Sequence, residues 1–473
     1  MSTHPNLDTI CAISTPPGMG GIAVIRISGP HSLEIADTIW KGKRLADANS
    51  HTAHLGTIFD PEKHSEPLDQ AVATIFRAPA SFTGDDVVEL SVHGSTYIQS
   101  ELVNLLIRQG CRLAEPGEFT RRAFTAGKMD LTEAEGVADV IAATSRASHR
   151  VAMSQMRGAF SGKLNELREQ LIELGALLEL ELDFSEEEVE FADRDNLRRL
   201  AQTTLDTVRQ LADSFAAGDA IRRGIPVAIV GKPNVGKSSL LNVLLGDNRA
   251  IVSNIPGTTR DTIEDTTVIN GHTYRFIDTA GLRQTTDTVE NLGIDRAWEK
   301  IAQASLIIWV ITPDTPIGEL DDFHSELRTA MSPEAHLLTV INKTDLHTRA
   351  TIHPLSDHLR TLSDSPVIPL SLLSDTPANL LSTLRDTIAA IAAPSDTSDA
   401  IIITNSRHYE ALHNAISPLK RVVTALSPTP YPIPSDLIAQ DIREAIHHLS
   451  TITGSITTPD LLSTIFSRFC IGK

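Results

Sequence analysis

The sequence predicts a multidomain chain: an α+β domain first, then a helical domain made of two chain segments, with an α/β domain inserted between them. Three observations predict this. The 473 residues exceed what one ordinary core needs. Proline is absent from residues 128–222, where apolar residues recur at helical spacing. Beyond that stretch, short and fully apolar runs alternate with helical ones, which is the pattern of a parallel sheet covered on both faces.

In chain order, residues 1–125 form the α+β domain. Residues 22–27 and 87–92 read as strands, and 99–108 as a helix. Residues 126–222 form the first part of the helical domain, with Leu164, Leu167, Leu171, Leu174 and Leu178 on one apolar stripe. The acidic run Glu186-Glu187-Glu188 reads as a solvated helix face or end rather than a metal site. Residues 223–392 form the α/β domain, with strands at 226–230, 274–277, 306–311 and 337–341. A polar linker at 393–399 leads into the second helical part, 400–473, and no internal repeat is visible.

The composition is that of a soluble globular chain, 41% hydrophobic and 21% charged. Aromatics are 4%, so aliphatic side chains must fill the cores. A formal net charge of -19 leaves room for an RNA partner only through a local basic patch. Cys11, Cys111 and Cys470 are far apart and lack paired zinc spacing, which argues against a disulfide framework or structural zinc. The N-terminus lacks signal or transit character, and no apolar run reaches eighteen residues. A cytoplasmic protein without a membrane span is expected.

Gly231-Lys-Pro-Asn-Val-Gly-Lys237-Ser238 fits G-x-x-x-x-G-K-[ST] between a strand and a helix. Its glycines let the backbone N–H groups of Asn234, Val235, Gly236, Lys237, Ser238 and Ser239 close around phosphate oxygens, and the helix N-terminus adds partial positive charge. Lys237 is expected on the outer phosphates and Ser238 in a magnesium shell. Asp278-Thr279-Ala280-Gly281 follows the next strand, where the carboxylate can hold a magnesium-bound water and the Gly281 N–H can meet the γ-phosphate. Thr258 and Thr259 lie between these motifs. Thr259 is expected to join the magnesium shell when the γ-phosphate is present, which makes a switch. Asn342-Lys343-Thr-Asp345 follows a further strand. A carboxylate there accepts two hydrogen bonds, from guanine N1–H and the exocyclic amine, a donor pair adenine lacks. Ser371-Leu372 is expected to close over the base. The inserted domain is therefore read as a Ras-like P-loop G domain.

Leu282 stands where a water-orienting glutamine follows Asp-x-x-Gly in Ras-like enzymes, and leucine cannot hydrogen-bond a water. Another group must position the nucleophile and neutralise charge. Asn234 offers a carboxamide oxygen near the β/γ phosphates that can ligate a monovalent cation. Equally, it can simply suit the turn.

Beyond these motifs, the chain resembles the MnmE (TrmE) family of tRNA modification GTPases. The resemblance runs from Thr15-Pro-Pro-Gly-Met-Gly-Gly21 to Cys470-Ile-Gly-Lys473. It includes Phe82-Thr-Gly-Asp-Asp86, His93-Gly94, Pro116-Gly-Glu-Phe119, Arg121-Arg-Ala-Phe124, Ala134-Glu135, Asp278-Thr-Ala-Gly-Leu-Arg283 and Thr404-Asn-Ser-Arg407. It implies a homodimer whose N-terminal domains pair and bind a reduced folate, 5-formyl- or 5,10-methylene-tetrahydrofolate. It also implies G domains that meet with K+ bound, beside Mg2+. Asn234 matches the potassium-ligating asparagine, with Ser253, Ile255 and Thr258 as further ligands. Glu290 matches the glutamate that orients the attacking water through a second water. Arg26, Glu89, Lys128 and Lys473 match the folate contacts; read without the family, Arg26 and Glu89 are ordinary strand polar residues. Cys470 matches a cysteine suspected in the modification chemistry, or it is a conventional cysteine near the folate pocket.

The implied reaction couples GTP hydrolysis to adding an aminomethyl or carboxymethylaminomethyl group at C5 of the tRNA wobble uridine. The partner is the flavoprotein MnmG, in a heterotetramer. This chain lacks a G-x-G-x-x-G fingerprint, consistent with the flavin residing elsewhere. Two other readings compete. One is a ribosome-assembly GTPase acting as an RNA-binding switch, which shares the G motifs but usually carries a basic RNA-binding domain. The other is a regulatory dimer whose folate binding is a relict.

Overall fold

The computed structural model describes residues 8–63, 66–183, 194–246, 265–277, 298–373, 377–393, 400–428, 433–467, 469 and 471–472. They divide into two compact units. The first comprises Met1–Ile141, Met153–Asp206 and Asn414–Lys473, and the second Ala142–Ala152 and Thr207–His413.

Seven strands come first: β1 (Ile10–Ile13), β2 (Gly20–Ser28), β3 (Trp40–Lys41), β4 (Thr52–Phe59), β5 (Pro67–Phe76), β6 (Val87–Gly94) and β7 (Arg112–Leu113). They form one sheet in the order β3-β4-β5-β6-β2-β1-β7, antiparallel except where β1 meets β7. Helices α1 (Ser32–Thr38), α2 (Thr96–Arg108) and α3 (Glu118–Thr125) belong to the same region. Strand alternation sends Ile25, Ile27, Val88, Leu90 and Val92 into one buried cluster with Ala36 of α1 and Leu102, Leu105 and Leu106 of α2. The same alternation places Arg26 and Glu89 on the opposite face.

Helices α4 (Leu131–Ala142), α5 (Arg146–Met156), α6 (Ala159–Asp183), α7 (Arg194–Asp213) and α8 (Phe215–Arg223) follow. The second sheet then builds from β8 (Ile225–Val230), β9 (Asp265–Ile269), β10 (His272–Phe276), β11 (Leu306–Ile311), β12 (His336–Ile341) and β13 (Val367–Pro369). Between and after these strands come α9 (Lys237–Leu245), α10 (Ile317–Ala330), α11 (Arg349–Leu362) and α12 (Pro377–Ala392). Helices α13 (Ser406–Ala425), α14 (Ser435–Thr453) and α15 (Pro459–Phe466) end the chain.

In the first unit the leucine stripe Leu164 to Leu178 of α6 is buried and packs on α14, whose Ile438, Ile442 and Leu449 are buried too. The C-terminal tail returns to the first sheet. Phe466 and Phe469 lie against Gly117, and Ser14 donates to the Gly472 carbonyl across 3.2 Å. Cys11 and Cys111 are distant in sequence, yet both are buried in one core cluster. The Cys11 neighbour, together with burial, holds the Cys111 thiol well above its ordinary value.

The second unit has the sheet order β13-β12-β11-β8-β10-β9, parallel except for β9 with β10. Leu240, Leu244, Leu384 and Ile388 of α9 and α12 cover one face, and Leu320, Leu327, Leu355 and Leu359 of α10 and α11 cover the other. All six residues of β11 are buried, so its unbroken apolar run reflects a strand with no solvent face. The edge strand β9 escapes the apolar-run criterion because one of its faces is exposed. Its signal is the turn instead: Asn270 and Gly271 have φ of 48° and 85°, as a two-residue hairpin turn with two left-handed positions requires. Among the described residues no helix is long and apolar enough to cross a membrane.

Candidate functional site

The phosphate loop leaves the end of β8 and opens α9. Gly231, at φ 143°, passes so close to β11 that a Cβ would lie 2.1 Å from the Val310 carbonyl oxygen. Asn234 has φ 64° and Gly236 φ 105°, so the loop needs two further left-handed positions. The Lys237 Nζ donates to the carbonyls of Gly231 at 2.7 Å and Lys232 at 2.6 Å, holding the loop closed, and burial lowers its pKa. Ser238 and Ser239 are exposed in the first turn of α9, where free N–H groups and the helix dipole favour an anion.

Long-range hydrogen bonds tie this loop to the base end. The buried Asn342 Nδ2 donates to the Val235 carbonyl at 2.7 Å, and the Leu372 N–H donates to Asn342 Oδ1 at 3.3 Å. Lys343, at φ 60°, turns the chain so that the exposed Asp345 meets Ser371, whose hydroxyl donates to Asp345 Oδ1 at 2.6 Å. Val235, Asn342, Asp345, Ser371 and Leu372 therefore form one bonded frame. The frame fixes the phosphate end against a carboxylate suited to guanine.

A second cluster lies on the first sheet. Arg26 of β2 stands directly across from Glu89 of β6 and donates to its Oε1 through Nε at 2.9 Å and Nη2 at 2.7 Å. The rings of Phe82 and Phe119 each stand 5.5 Å from the Arg26 guanidinium. The Lys128 stem runs beside Gly84. Gly472 abuts Ile13 and Ser14 at the end of β1, next to Ile25 and Arg26. One place on the sheet thus gathers a guanidinium, a carboxylate and the Phe82 ring over a buried Phe119, with the Lys128 stem beside Gly84 two residues on from Phe82. Such a set suits a flat heterocycle with an anionic tail.

Two families match the chain: GTP-binding protein TrmE N-terminus over residues 9–128 and MnmE helical domain over residues 131–470. The tRNA modification GTPase MnmE of Bacteroides fragilis is 45% identical over 99% of this chain and 100% of its own length. That of Christiangramia forsetii is 47% identical over 98% and 99%. The chain belongs to the MnmE (TrmE) family. A solved structure of Era in complex with MgGDPNP and a 16S ribosomal RNA segment aligns over 41% of this chain and 66% of its own, at 29% identity and a TM-score of 0.27.

Full-length likeness to MnmE relatives sets aside the ribosome-assembly alternative. Of the residues expected from the sequence, the structure brings together Asn234 to Ser239 with Asn342, Lys343 and Asp345, and Arg26 with Glu89, while Lys128 lies beside Gly84. Ser253, Ile255, Thr258, Thr259, Asp278, Thr279, Ala280, Gly281, Glu290, Cys470 and Lys473 lie outside the described residues, as do Leu282 and the run 186–188. The positive φ of Asn234 gives that residue a conformational reason to be asparagine, whatever else it does.

Sequence reasoning missed the roles of Phe82 and Phe119. Both belong to one small core with Ile10, Ala12 and Ala114, in which Phe119 is fully buried, and that core carries the Arg26 guanidinium on its edge. His93 is a motif residue with no role legible in the sequence; the structure places its Nδ1 2.7 Å from Asp69 Oδ1 on the face that carries Glu89.

Gly236→Ala is expected to weaken nucleotide binding at least tenfold, a loss of about 1.4 kcal/mol or more. Its Cβ would lie 2.2 Å from Asn342 Nδ2, and alanine resists φ 105°. Titration with a fluorescent guanine nucleotide checks this.

Proposed function

We propose that this tRNA modification GTPase hydrolyses GTP in a potassium-dependent manner. We further propose that it acts as a homodimer with the flavoprotein MnmG in a heterotetramer. There it adds an aminomethyl or carboxymethylaminomethyl group at C5 of the wobble uridine, with the carbon taken from a reduced folate. The observation that carries the nucleotide part is the hydrogen-bonded frame from Val235 through Asn342 to Leu372, with Asp345 held by Ser371. It supports guanine recognition rigidly linked to phosphate binding.

Within that frame Lys237 holds the outer phosphates, while Ser238 and Thr259 hold Mg2+. Asn234, Ser253, Ile255 and Thr258 hold K+, which would supply positive charge in the place of an arginine finger, while Glu290 takes the water-orienting part that Leu282 cannot play. Asp278 to Gly281 lie against the γ-phosphate, and Lys343 flanks the base. Arg26, Glu89, Lys128 and Lys473 hold the folate, a fit that the Phe82 and Phe119 walls support. Cys470 belongs near that pocket. The pairing of N-terminal domains is supported by exposed apolar residues on the Arg26 face, namely Ile22, Leu55 and Val72, the last two directly opposite each other. The boundaries 1–125, 126–222, 223–392 and 400–473 follow the same reading.

The test is GTP turnover in potassium against sodium buffer, with Asn234→Ala and Asn234→Gly. Glycine keeps the left-handed turn but removes the ligand. A cation in the place of an arginine finger predicts about tenfold or greater stimulation by potassium, abolished in both variants. Equal rates in both salts, or stimulation retained in Asn234→Gly, would overturn the potassium reading.

A further inference from the structure

We propose that a basic patch on the second unit, where the start of α5 and the end of α8 flank β10, docks the phosphate backbone of the tRNA. The inference rests on the reading that the protein acts on tRNA, and it names the surface.

The chain carries 60 Asp and Glu against 41 Lys and Arg. Against that background residues 140–165 contain no carboxylate, but they hold Arg146, Arg150, Arg157, Lys163 and His149. Within α5, Ala147 and Ala152 are buried while Arg146 and His149 are exposed. The spacing 146, 149, 150 places three basic residues on one helix face. Arg146 makes no ion pair with a described residue.

The start of α5 is pinned to the β9–β10 hairpin. The Ala147 N–H donates to the Gly271 carbonyl at 3.2 Å, and the hydroxyls of Thr144 and Thr273 lie 3.3 Å apart. On the other side of Thr273 the end of α8 arrives. A Cβ on Gly224 would be 3.2 Å from Thr273 Cγ2 and 3.3 Å from Arg275 Cβ. Arg222 and Arg223, both exposed, therefore join Arg146, His149, Arg150 and Arg275 around one strand. Asp219, paired with Arg223 at 2.9 Å, and Asp386, bonded to Asn270, mark its margin.

Five arginines and a histidine around one strand concentrate positive charge where phosphates can dock, and a polyanion bound there releases its counterions. The patch also leaves the nucleotide free. It surrounds the start of β10, whereas β10 runs parallel to β8, and β8 ends at the phosphate loop.

The test is binding of a labelled tRNA transcript to the full chain across a salt series, for Arg146→Ala and Arg223→Ala beside Arg146→Lys and Arg223→Lys, with thermal melts confirming folded protein. Each alanine variant should bind about fivefold more weakly, and the slope of log affinity against log salt should fall by about one. The lysine variants should keep most of both. Unchanged affinity and slope in both alanine variants would overturn the proposal. So would an equal loss in the lysine variants, which would mark a structural effect. Failure of the unaltered protein to bind tRNA at any salt would overturn the tRNA reading itself, and the patch with it.

Discussion

Asp345→Asn is expected to lower the affinity for GTP by about 10²- to 10⁴-fold and to create binding of xanthosine triphosphate. Two charge-assisted hydrogen bonds to guanine are at stake, each worth about 1.5–3 kcal/mol. An amide offers one acceptor and one donor in place of two acceptors, so the guanine exocyclic amine meets an N–H instead of an oxygen. Xanthine carries a carbonyl there and keeps its N1–H, so it matches the amide donor for acceptor. The Ser371 hydroxyl, 2.6 Å from Asp345 Oδ1, holds the side chain in place before any base arrives. Competitive titration with both nucleotides reads the exchange. Unchanged GTP affinity in the variant would mean that Asp345 does not read the base.

The proposed guanine site was legible because its chemistry is local in sequence. A phosphate is held by consecutive N–H groups, so glycines and a lysine at fixed offsets suffice to declare it, and residues 342–345 are equally compact. The joints between these pieces were not legible. Asn342 reaches Val235 across more than a hundred residues, and the Ser371 partnership with Asp345 depends on where β13 ends. On the first sheet, Arg26 and Glu89 each read as a polar strand residue. Their pairing is a property of the β2–β6 register, which one sequence does not display. The hairpin β9–β10 is the opposite case: Asn270-Gly271 marks it in the sequence, while β9, with one face exposed, has no unbroken apolar run. Charged residues inside a core are the hardest to read. The stretch 112–122 carries Arg112, Glu115, Glu118, Arg121 and Arg122 and looks like a solvated helix, yet Glu118 and Arg122 are the most buried charged side chains among the described residues.

That buried pair sets the second large effect: Glu118→Ala is expected to cost about 3 kcal/mol, because it removes the one buried carboxylate facing Arg122 and leaves that buried guanidinium, with Arg112, to the half-exposed Asp8 and the more distant Asp85. Glu118 is 2% exposed and accepts from Arg112 Nη2 at 2.6 Å, Arg112 Nη1 at 3.0 Å, Arg122 Nη2 at 3.0 Å and the Glu115 N–H at 2.8 Å. Burial alone would raise its pKa. The Arg112 hydrogen bonds, followed by those of Glu115 and Arg122, outweigh burial and hold it below the ordinary carboxylate value of 4.5. A carboxylate depressed in the folded state contributes stability that is full above the unfolded value and lost as pH falls through the folded one. The unaltered protein should therefore lose stability below about pH 4.5, and the variant should show a flatter profile there. The damage has a direction as well as a size. Phe119, the next residue, carries one of the two rings beside Arg26, so loosening the start of α3 should disturb the Arg26–Glu89 cluster proposed to hold folate. The second unit has its own cores, which contain neither Glu118 nor its partners, so the nucleotide frame should survive. Melting should fall by roughly 10 °C, and reduced-folate binding should weaken while guanine-nucleotide affinity at low temperature stays within about twofold, less than 0.5 kcal/mol. A melting curve that coincides with that of the unaltered protein would show that the Arg112 and Arg122 charges are compensated without Glu118.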